Sequence, residues 1–339
     1  MGIPFFSRFL HQLAPLQVEP PILFYSYLTM PATKATKVFQ LNDETSIPGV
    51  GLGTWQSTND EVYNAVLTAL RYGYRHIDTA AAYGNESVIG RAIKDSGIPR
   101  EELYITTKLW CTKHDNPEAA LDESLSNLGL DYVDLYLIHW PVFLNPNGND
   151  PKFPTLPNGK RDIVTDWNFV KTYELLQPLV ALGKTKSIGV SNFSVTNLEK
   201  LLNAPTTKIV PVVNQVELHP YLPQQQLLEY TKKHGIVLEA YSPLGSTNSP
   251  LFKDETVVKI AEKNGVSPAT ILISWALWRG TVVLPKSVTE SRVQSNFEVI
   301  NLSDEDGQTI DNIHKVKGVH RFINPNWDPV VVFDADSKL

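Results

Sequence analysis

The chain has 339 residues and a net charge of −6, and 42% of its residues are hydrophobic while 19% are charged. This composition is typical of a globular protein with a large core, and without a basic stripe nucleic acid is not an expected partner. No apolar run reaches the roughly 18 residues of a transmembrane helix, so we predict no membrane partner. A single cysteine, Cys111, excludes an internal disulfide framework and favours a reducing compartment such as the cytoplasm.

The first 29 residues differ in composition from the rest of the chain. They contain four prolines, and Arg8 is their only arginine, whereas Met30 opens a stretch typical of a normal N-terminus. A mitochondrial targeting presequence is one interpretation, although the prolines would interrupt its amphipathic helix. The favoured interpretation is an upstream start or a disordered extension. We therefore predict that residues 1–29 are dispensable and that residues 30–339 form one domain.

The predicted elements begin with a hairpin, in which two short strands flank Asn42 and Asp43. Strand and helix patterns then alternate. Eight strand-like runs follow, at 50–55, 75–80, 103–110, 133–140, 186–191, 210–217, 236–244 and 281–287. Helical patterns lie between them at 60–73, 116–129, 194–202, 223–235 and 254–265, with an extra helix at 267–280.

Eight strand–helix units in roughly 250 residues predict an α/β fold, a single (β/α)8 TIM barrel. The nearly continuous apolar strands fit a sheet that is buried on both faces. A doubly wound sheet would carry a GxGxxG turn after its first strand, but Thr54 or Gln56 occupies the third glycine position here. We expect the N-terminal hairpin at the bottom of the barrel. The tail from about residue 318 is predicted either to strap the barrel or to form a loop over a pocket.

Four ionisable residues lie at or just past the C-terminal ends of predicted strands, where barrels carry their active sites. They are Asp78, Tyr83, Lys108 and His139. A cation beside a phenol favours phenolate and lowers a pKa that starts near 10, so Asp, Lys and Tyr together make a proton donor. Each residue alone has an ordinary structural explanation. No metal site is predicted, because a second histidine or acidic cluster and the HExxH and CxxC motifs are missing.

Polar side chains at three later strand ends are suited to binding a primary carboxamide. Ser191, Asn192 and Gln215 offer hydroxyl and amide groups, and Tyr241 offers a flat ring for stacking nicotinamide. The alternative is that Asn192 and Asn214 cap helices.

A basic segment follows the eighth strand, where barrels often bind phosphate. It contains Lys286, Ser287 and Arg292, with a helix start near Thr289. Arg292 could hold a 2′-phosphate, which favours NADP(H) over NAD(H). The alternative is a solvated basic turn, which fits Lys286 alone better than the set.

Tryptophans follow several strand ends. Trp55, Trp110, Trp140 and Trp327 are predicted to line a pocket for apolar carbonyl compounds, although core packing is the usual role of tryptophan.

The motifs in the order GYRHIDTAAAYGNE, GLDYVDLYLIHWP, GVSNF, NQVELHP and LPKSV resemble the aldo-keto reductase family, from about Lys37 to Asp328. The pattern is most similar to the yeast NADPH-dependent carbonyl and glycerol-type reductases of that family. The resemblance implies that Tyr83 is the general acid, that Asp78 and Lys108 tune it, and that His139 orients the carbonyl. It implies cofactor contacts at Ser191, Asn192, Gln215, Tyr241, Ser242, Leu244, Ser246, Lys286, Ser287, Val288, Arg292 and Asn296, and a substrate pocket lined by the four tryptophans.

The resemblance implies NADPH-dependent reduction of aldehydes, ketones or ketoesters by a monomer that acts on a small-molecule carbonyl substrate. Two alternatives stay open. One is a polyol or sugar dehydrogenase that acts mainly in oxidation, and the other is a non-catalytic NADPH-binding module on the same fold.

Overall fold

The structure is a computed structural model, and it describes residues 1–2, 31–246 and 248–334. Apart from its first two residues, the predicted N-terminal extension lies outside the described residues.

The described chain opens with three short strands, β1 (Thr33–Lys34), β2 (Val38–Gln40) and β3 (Ser46–Pro48). β2 and β3 form the predicted antiparallel hairpin, with Phe39 opposite Ile47. Its turn is held by Asp43, whose Oδ1 accepts hydrogen bonds from the backbone and hydroxyl of Thr45. Ile47 is fully buried and packs with side chains of the barrel strands, so the hairpin covers one end of the barrel.

Eight parallel strands form the central sheet, in the same order in space as in the chain. Bridges from Val50 to Val283 and from Gly53 to Lys286 join the first strand to the last, which closes the sheet into a (β/α)8 barrel. The predicted fold is therefore confirmed. The strands are β4 (Leu52–Gly53), β5 (His76–Asp78), β6 (Tyr104–Leu109), β7 (Val133–Ile138), β8 (Thr185–Ser191), β9 (Val213–Glu217), β10 (Val237–Tyr241) and β11 (Val282–Leu284).

Helices surround the barrel and cover the outer faces of its strands, so every residue of β6 and β7 is buried. This double burial is the reason that the strands are solid apolar runs. The helices are α1 (Asn59–Tyr72), α2 (Glu86–Ser96), α3 (Pro117–Leu128), α4 (Phe169–Leu176), α5 (Pro178–Ala181), α6 (Val195–Leu202), α7 (Gln225–Lys233), α8 (Glu255–Asn264), α9 (Pro268–Trp278), α10 (Glu290–Ser295), α11 (Asp304–Asp311) and α12 (Ile313–Lys317).

Several helices were not predicted from the sequence, namely α2, α4, α5, α11 and α12. In α2 the apolar spacing was present, because Val88, Ile89, Ala92 and Ile93 form its buried face. The helix begins directly after the turn that follows β5, and its first residue, Glu86, is buried against Thr107 and Ser124. Asn85 at the N-cap and Glu86 in the first turn are a usual helix start, so the signals for α2 were present in the sequence.

The C-terminal segment returns across the C-terminal ends of the strands. A last strand, β12 (Glu298–Val299), first pairs with β1. Glu217, fully buried at the end of β9, then accepts hydrogen bonds from the backbone of Phe322 (2.7 Å) and Ile323 (2.8 Å). Beyond this anchor, Trp327 packs in an apolar cluster with Trp110 and Trp140. The predicted C-terminal loop therefore lies beside the residues that follow β6 and β7.

Burial of His114 makes the free energy of unfolding depend on pH, and a single substitution separates this effect from others. Burial lowers its pKa from 6.5 to about 3, and its ring stacks on Phe143 with neither nitrogen hydrogen-bonded among the described residues. Folding lowers the pKa of His114, so the folded protein holds this side chain neutral while the unfolded chain binds a proton below pH 6.5. The contribution of neutral His114 to stability is therefore complete above pH 6.5 and is lost as the pH falls towards 3. We expect wild type to lose about 1.4 kcal/mol per pH unit below 6.5 relative to His114→Phe, measured by urea unfolding. Parallel stability curves between pH 6.5 and 5 would contradict this.

Candidate active site

A fully buried lysine lies at the centre of the C-terminal end of the barrel. Lys108 Nζ, on β6, donates to both carboxylate oxygens of Asp78 on β5, at 2.7 and 2.9 Å, and to the backbone oxygen of Thr79 at 2.9 Å. Burial alone would lower the pKa of Lys108, but the charge of Asp78 and the hydrogen bonds to it outweigh burial and raise that pKa. Burial also raises the pKa of Asp78, and Lys108 and Gln215 oppose that shift. The two short contacts fit an ammonium and a carboxylate that neutralise each other inside the barrel.

Tyr83 is brought to this pair by the turn after β5. The turn is a short 3-10 helix, Ala81–Tyr83, and Gly84 ends it with a left-handed backbone (φ 70°). Asn85 braces the turn, since its Nδ2 donates to the backbone oxygen of Thr54 at 3.0 Å. Lys108 Nζ donates to the phenolic oxygen of Tyr83 at 3.3 Å. Because Lys108 supplies that hydrogen, the hydroxyl hydrogen of Tyr83 remains available to another acceptor.

The net pKa of Tyr83 differs from our prediction. Burial raises it, and this effect exceeds the lowering by Lys108 that the sequence led us to expect. The prediction of a lowered pKa is wrong because it counted the cation and not the loss of solvent. The phenol consequently keeps its proton at neutral pH, as a proton donor must.

His139 completes the group directly after β7. Its ring meets that of Tyr83 edge-on, with the centroids 5.8 Å apart, and that of Trp110 at 5.2 Å. Burial and the charge of Lys108 hold the pKa of His139 well below its usual value, so the imidazole is neutral. The structure thus brings Asp78, Tyr83, Lys108 and His139 together at the predicted end of the barrel.

The amide of Gln215, on β9, joins this group from the opposite side. Its Nε2 donates to Asp78 Oδ2 at 2.9 Å and to Glu239 Oε2, on β10, at 2.7 Å. Glu239 lies within the predicted strand 236–244, and no role was predicted for it. The available signal was an acid inside an otherwise apolar strand.

Ser191 and Asn192 are also buried at this end, and their side chains already have partners. Asn192 Nδ2 donates to the backbone oxygen of His139 at 3.0 Å, and its Oδ1 accepts from the Tyr241 hydroxyl at 2.8 Å. Ser191 Oγ donates to the backbone oxygen of Gln215 at 2.8 Å. Asn192 has a left-handed backbone (φ 63°), so the chain turns sharply after β8. These contacts link three strand ends to His139.

The alternative that Asn192 and Asn214 cap a helix is not what the structure shows. Ser194 is the N-cap of α6. Asn214 instead exchanges hydrogen bonds with the backbone of Phe193, at 3.3 Å to its nitrogen and 2.8 Å to its oxygen. Asn214 therefore holds the loop that carries Asn192.

The remaining predicted cofactor residues lie on the loop after β10 and on the segment after β11 that continues through α10. Ser242 and Ser246 have left-handed backbones (φ 49° and 63°), and Leu244 lies between them, partly exposed. Lys286 donates to the backbone oxygen of Gln56 at 3.0 Å, which joins the loop after β11 to the loop after β4. The rest of the set are Ser287 and Val288, which are partly exposed, Arg292, which is exposed, and Asn296, which is buried.

Three of the four predicted pocket tryptophans gather in one apolar cluster. Trp140 and Trp327 have ring centroids 5.5 Å apart, and Trp110 belongs to the same cluster. Trp55 lies apart from this cluster in the loop after β4, with 42% of its surface exposed.

One contact of Trp110 was not predicted from the sequence. Its indole nitrogen donates to the backbone oxygen of Lys152 at 2.7 Å. The long loop after β7 is thereby held against Trp110.

The donor set fits a nicotinamide dinucleotide. Gln215 Oε1 accepts no hydrogen bond from the described residues, so an amide acceptor is available beside the Asp78, Tyr83, Lys108 and His139 group. Arg292 is an exposed cation in α10, the helix that follows the loop after β11, and it is suited to a phosphate. Among the described residues, no group of three or more His, Cys, Asp or Glu side chains could hold a metal ion. In that same part of the chain, no helix is both long and apolar enough to cross a membrane.

A (β/α)8 barrel with a buried Lys–Asp pair, an adjacent protonated tyrosine and a neutral histidine defines an oxidoreductase that reduces carbonyl groups with a nicotinamide cofactor. The family model described as "Aldo/keto reductase family" matches residues 49–315. The chain belongs to the aldo/keto reductase family.

Named relatives and a solved structure agree with this assignment. Glycerol 2-dehydrogenase (NADP(+)) of Saccharomyces cerevisiae is 55% identical, over 90% of this chain and 100% of the relative. Aldehyde reductase YPR1 of the same yeast is 52% identical, with the same coverage. D-galacturonate reductase of Hypocrea jecorina is 52% identical, over 79% of this chain and 87% of the relative. The structure of an aldose reductase from Schistosoma japonicum superposes with a TM-score of 0.79 at 37% identity, over 85% of this chain and 94% of that one.

The predicted family, fold and enzyme class are therefore confirmed, and the chain is an NADP-dependent oxidoreductase. The roles of the individual residues stay predictions.

Proposed function

We propose that this protein reduces aldehydes, ketones or ketoesters to alcohols with NADPH, and that Tyr83 is the general acid. The observation that carries the proposal is the hydrogen bond from Lys108 to the phenolic oxygen of Tyr83. It leaves the phenolic hydrogen free to reach a substrate oxygen, while Asp78 holds Lys108 in place.

His139 orients the substrate. Its imidazole is neutral and lies edge-on to Tyr83, so a carbonyl oxygen between the two rings can accept from both. Two donors aimed at one oxygen also stabilise the negative charge that develops on it during reduction. Proton transfer from a positioned acid typically contributes about 10²–10⁴-fold to the rate.

The cofactor is held by the residues that follow β8 to β11. Gln215, Ser191 and Asn192 hold the nicotinamide carboxamide, and Tyr241 lies under its ring. When bound, NADPH supplies the hydride. The remaining contacts come from the loop after β10 and the segment after β11 that continues through α10, through Ser242, Leu244, Ser246, Lys286, Ser287, Val288, Arg292 and Asn296.

The substrate lies against Trp110, Trp140 and Trp327, with Trp55 at the outer edge. The apolar cluster formed by the first three excludes water and favours substrates with an apolar portion beside the carbonyl. A second candidate function is oxidation of a polyol or sugar, which is favoured by the 55% identity to a glycerol 2-dehydrogenase.

A substrate panel separates these two functions. Purified protein is mixed with NADPH or NADH and with aldehydes, ketoesters or aldoses, and in the reverse direction with NADP⁺ and glycerol or other polyols, while absorbance at 340 nm is followed. The proposal expects a higher kcat/KM for carbonyl reduction with NADPH than for any oxidation tested. Faster oxidation of polyols at neutral pH would favour the dehydrogenase instead.

Arg292 is expected to select NADPH over NADH. A charge-assisted hydrogen bond to the 2′-phosphate contributes about 1.5–3 kcal/mol, so Arg292→Ala should raise the Kd for NADPH roughly ten- to a hundred-fold. The Kd for NADH should barely change, and the effect should be larger at low salt. Fluorescence titration with both cofactors measures this, with Arg91→Ala, an exposed arginine of α2, as the control. Equal weakening of both cofactors would show that Arg292 supports the loop and does not bind the phosphate.

The protein works as a monomer in the cytoplasm, and residues 30–339 are its single functional domain. A lone buried cysteine, Cys111, supports a reducing compartment. Pairing of β1 with β12 ties the chain to the barrel from Thr33 onward, which supports a domain that begins close to residue 30.

A further inference from the structure

Glu239 occupies the interior of the barrel directly beneath the proposed active site. It lies in the middle of β10 and is fully buried. Its Oε2 accepts a hydrogen bond from Gln215 Nε2 at 2.7 Å, and the same nitrogen donates to Asp78 Oδ2 at 2.9 Å. Its other oxygen, Oε1, is 3.6 Å from His76 Nε2 and makes no hydrogen bond among the described residues. Among the described residues, the Glu239 carboxyl therefore has one hydrogen-bond partner, which is Gln215.

Two carboxyl groups together determine the orientation of the Gln215 amide. A primary amide has two N–H hydrogens on its nitrogen, and here Asp78 accepts one and Glu239 the other. If the amide flipped, its oxygen would lie against the Asp78 carboxylate, which has no hydrogen to donate, and the hydrogen bond that Glu239 accepts would be lost. The flip is thus strongly disfavoured, and Gln215 presents only its carbonyl oxygen to a ligand.

We propose that Glu239 is a positioning residue, which acts with Asp78 to fix the Gln215 amide so that its oxygen accepts from the amide NH₂ of nicotinamide. The inference rests on the proposed function only in taking the cofactor to be a nicotinamide dinucleotide. Nicotinamide is common to NADPH and NADH, so loss of this orientation weakens both cofactors alike. That outcome differs from the selective effect expected at Arg292.

The charge of Glu239 also acts on the proton donor. Burial and the charge of Asp78 raise the pKa of Glu239 to about 8, with Gln215 and Lys108 opposing the shift. When Glu239 ionises it raises the pKa of Tyr83, which makes the phenol a weaker acid. Reduction should therefore slow as the pH rises through about 8. The ionisable groups that face Glu239 are His76, Asp78, Tyr104 and Lys108, with Tyr83 beyond them.

Two substitutions test the inference by fluorescence titration with NADPH and NADH. Glu239→Ala removes the acceptor and should raise both Kd values about ten-fold, as expected for one hydrogen bond. Glu239→Gln keeps an oxygen that can accept from Gln215 and should restore both Kd values to within about three-fold of wild type. A glutamine side chain cannot ionise, so the pH profile of kcat for Glu239→Gln should lack the fall near pH 8.

Thr106→Val is the matched control. Thr106 lies in the same buried layer and its hydroxyl is 3.1 Å from His76 Nε2, but it makes no hydrogen bond to Gln215. It should leave both Kd values unchanged. Wild-type affinity of Glu239→Ala for both cofactors would overturn the inference. If Glu239→Ala does not fold, Glu239→Leu, which also lacks an acceptor for Gln215, decides by the same titration. A fall in kcat near pH 8 that persists in Glu239→Gln would overturn the effect of the Glu239 charge on Tyr83. Failure of wild type to bind either cofactor would instead overturn the proposed function.

Discussion

Replacing Tyr83 with phenylalanine is expected to lower kcat for carbonyl reduction by about 10²–10⁴-fold, the loss typical of a missing general acid. The NADPH dissociation constant should stay within about three-fold of wild type, because the hydroxyl contacts Lys108 and not the proposed cofactor residues. Stopped-flow absorbance at 340 nm measures the chemical step, and fluorescence titration measures binding.

Tyr63→Phe is the control for this substitution. Its hydroxyl donates to Asp95 at 2.7 Å on the outside of the barrel, so its loss removes a similar hydrogen bond far from the proposed chemistry. Turnover by the Tyr63 variant should match wild type. If Tyr83→Phe keeps more than about a tenth of the wild-type kcat, Tyr83 is not the acid.

Replacing Lys108 with methionine is expected to impair both stability and catalysis. It leaves the buried carboxyl of Asp78 without its countercharge, and breaking a buried ion pair from one side costs about 3–5 kcal/mol. The free energy of urea unfolding at pH 7 should fall by that amount, and kcat should fall because the phenol of Tyr83 loses its partner.

A double-mutant cycle distinguishes the ion pair from general damage to the core. Asp78→Asn combined with Lys108→Met removes both charges, so the double variant should be more stable than Lys108→Met alone. Lys160→Met serves as a surface control, because its pair with Asp328 is exposed and should contribute little to stability. Strictly additive losses in the double variant would show that the two charges do not interact.

Much of the fold could be predicted because its signals are local or repeated. Solid apolar strands alternate with capped helices, and eight repeats of that unit leave few architectures. The catalytic candidates followed from the fold, because parallel strands bring their C-terminal ends to one place. Asp78 and Lys108 lie 30 positions apart in the chain yet form a contact of 2.7 Å for this reason.

What escaped prediction depends on side chains that meet inside the barrel. The role of Glu239 follows from its contact with Gln215 on the neighbouring strand, and the register between two strands cannot be read from either one. The net pKa of Tyr83 depends on how far burial outweighs the charge of Lys108, which requires the closed site. The hydrogen bond from Trp110 to Lys152 ends on a backbone oxygen. Any residue type would supply that oxygen, so the sequence does not mark the contact.

Transfer of deuterium from the cofactor is the most direct test of the central claim, that this site reduces a carbonyl by hydride transfer from NADPH. The protein is supplied with NADPH that carries two deuterium atoms at C4 of the nicotinamide, together with an aldehyde, and the alcohol is analysed by mass spectrometry. The account predicts one deuterium on the carbinol carbon for each NADP⁺ formed. NADPH that binds with no alcohol formed, or an alcohol without deuterium, would contradict the account and favour a non-catalytic NADPH-binding protein or another source of hydride.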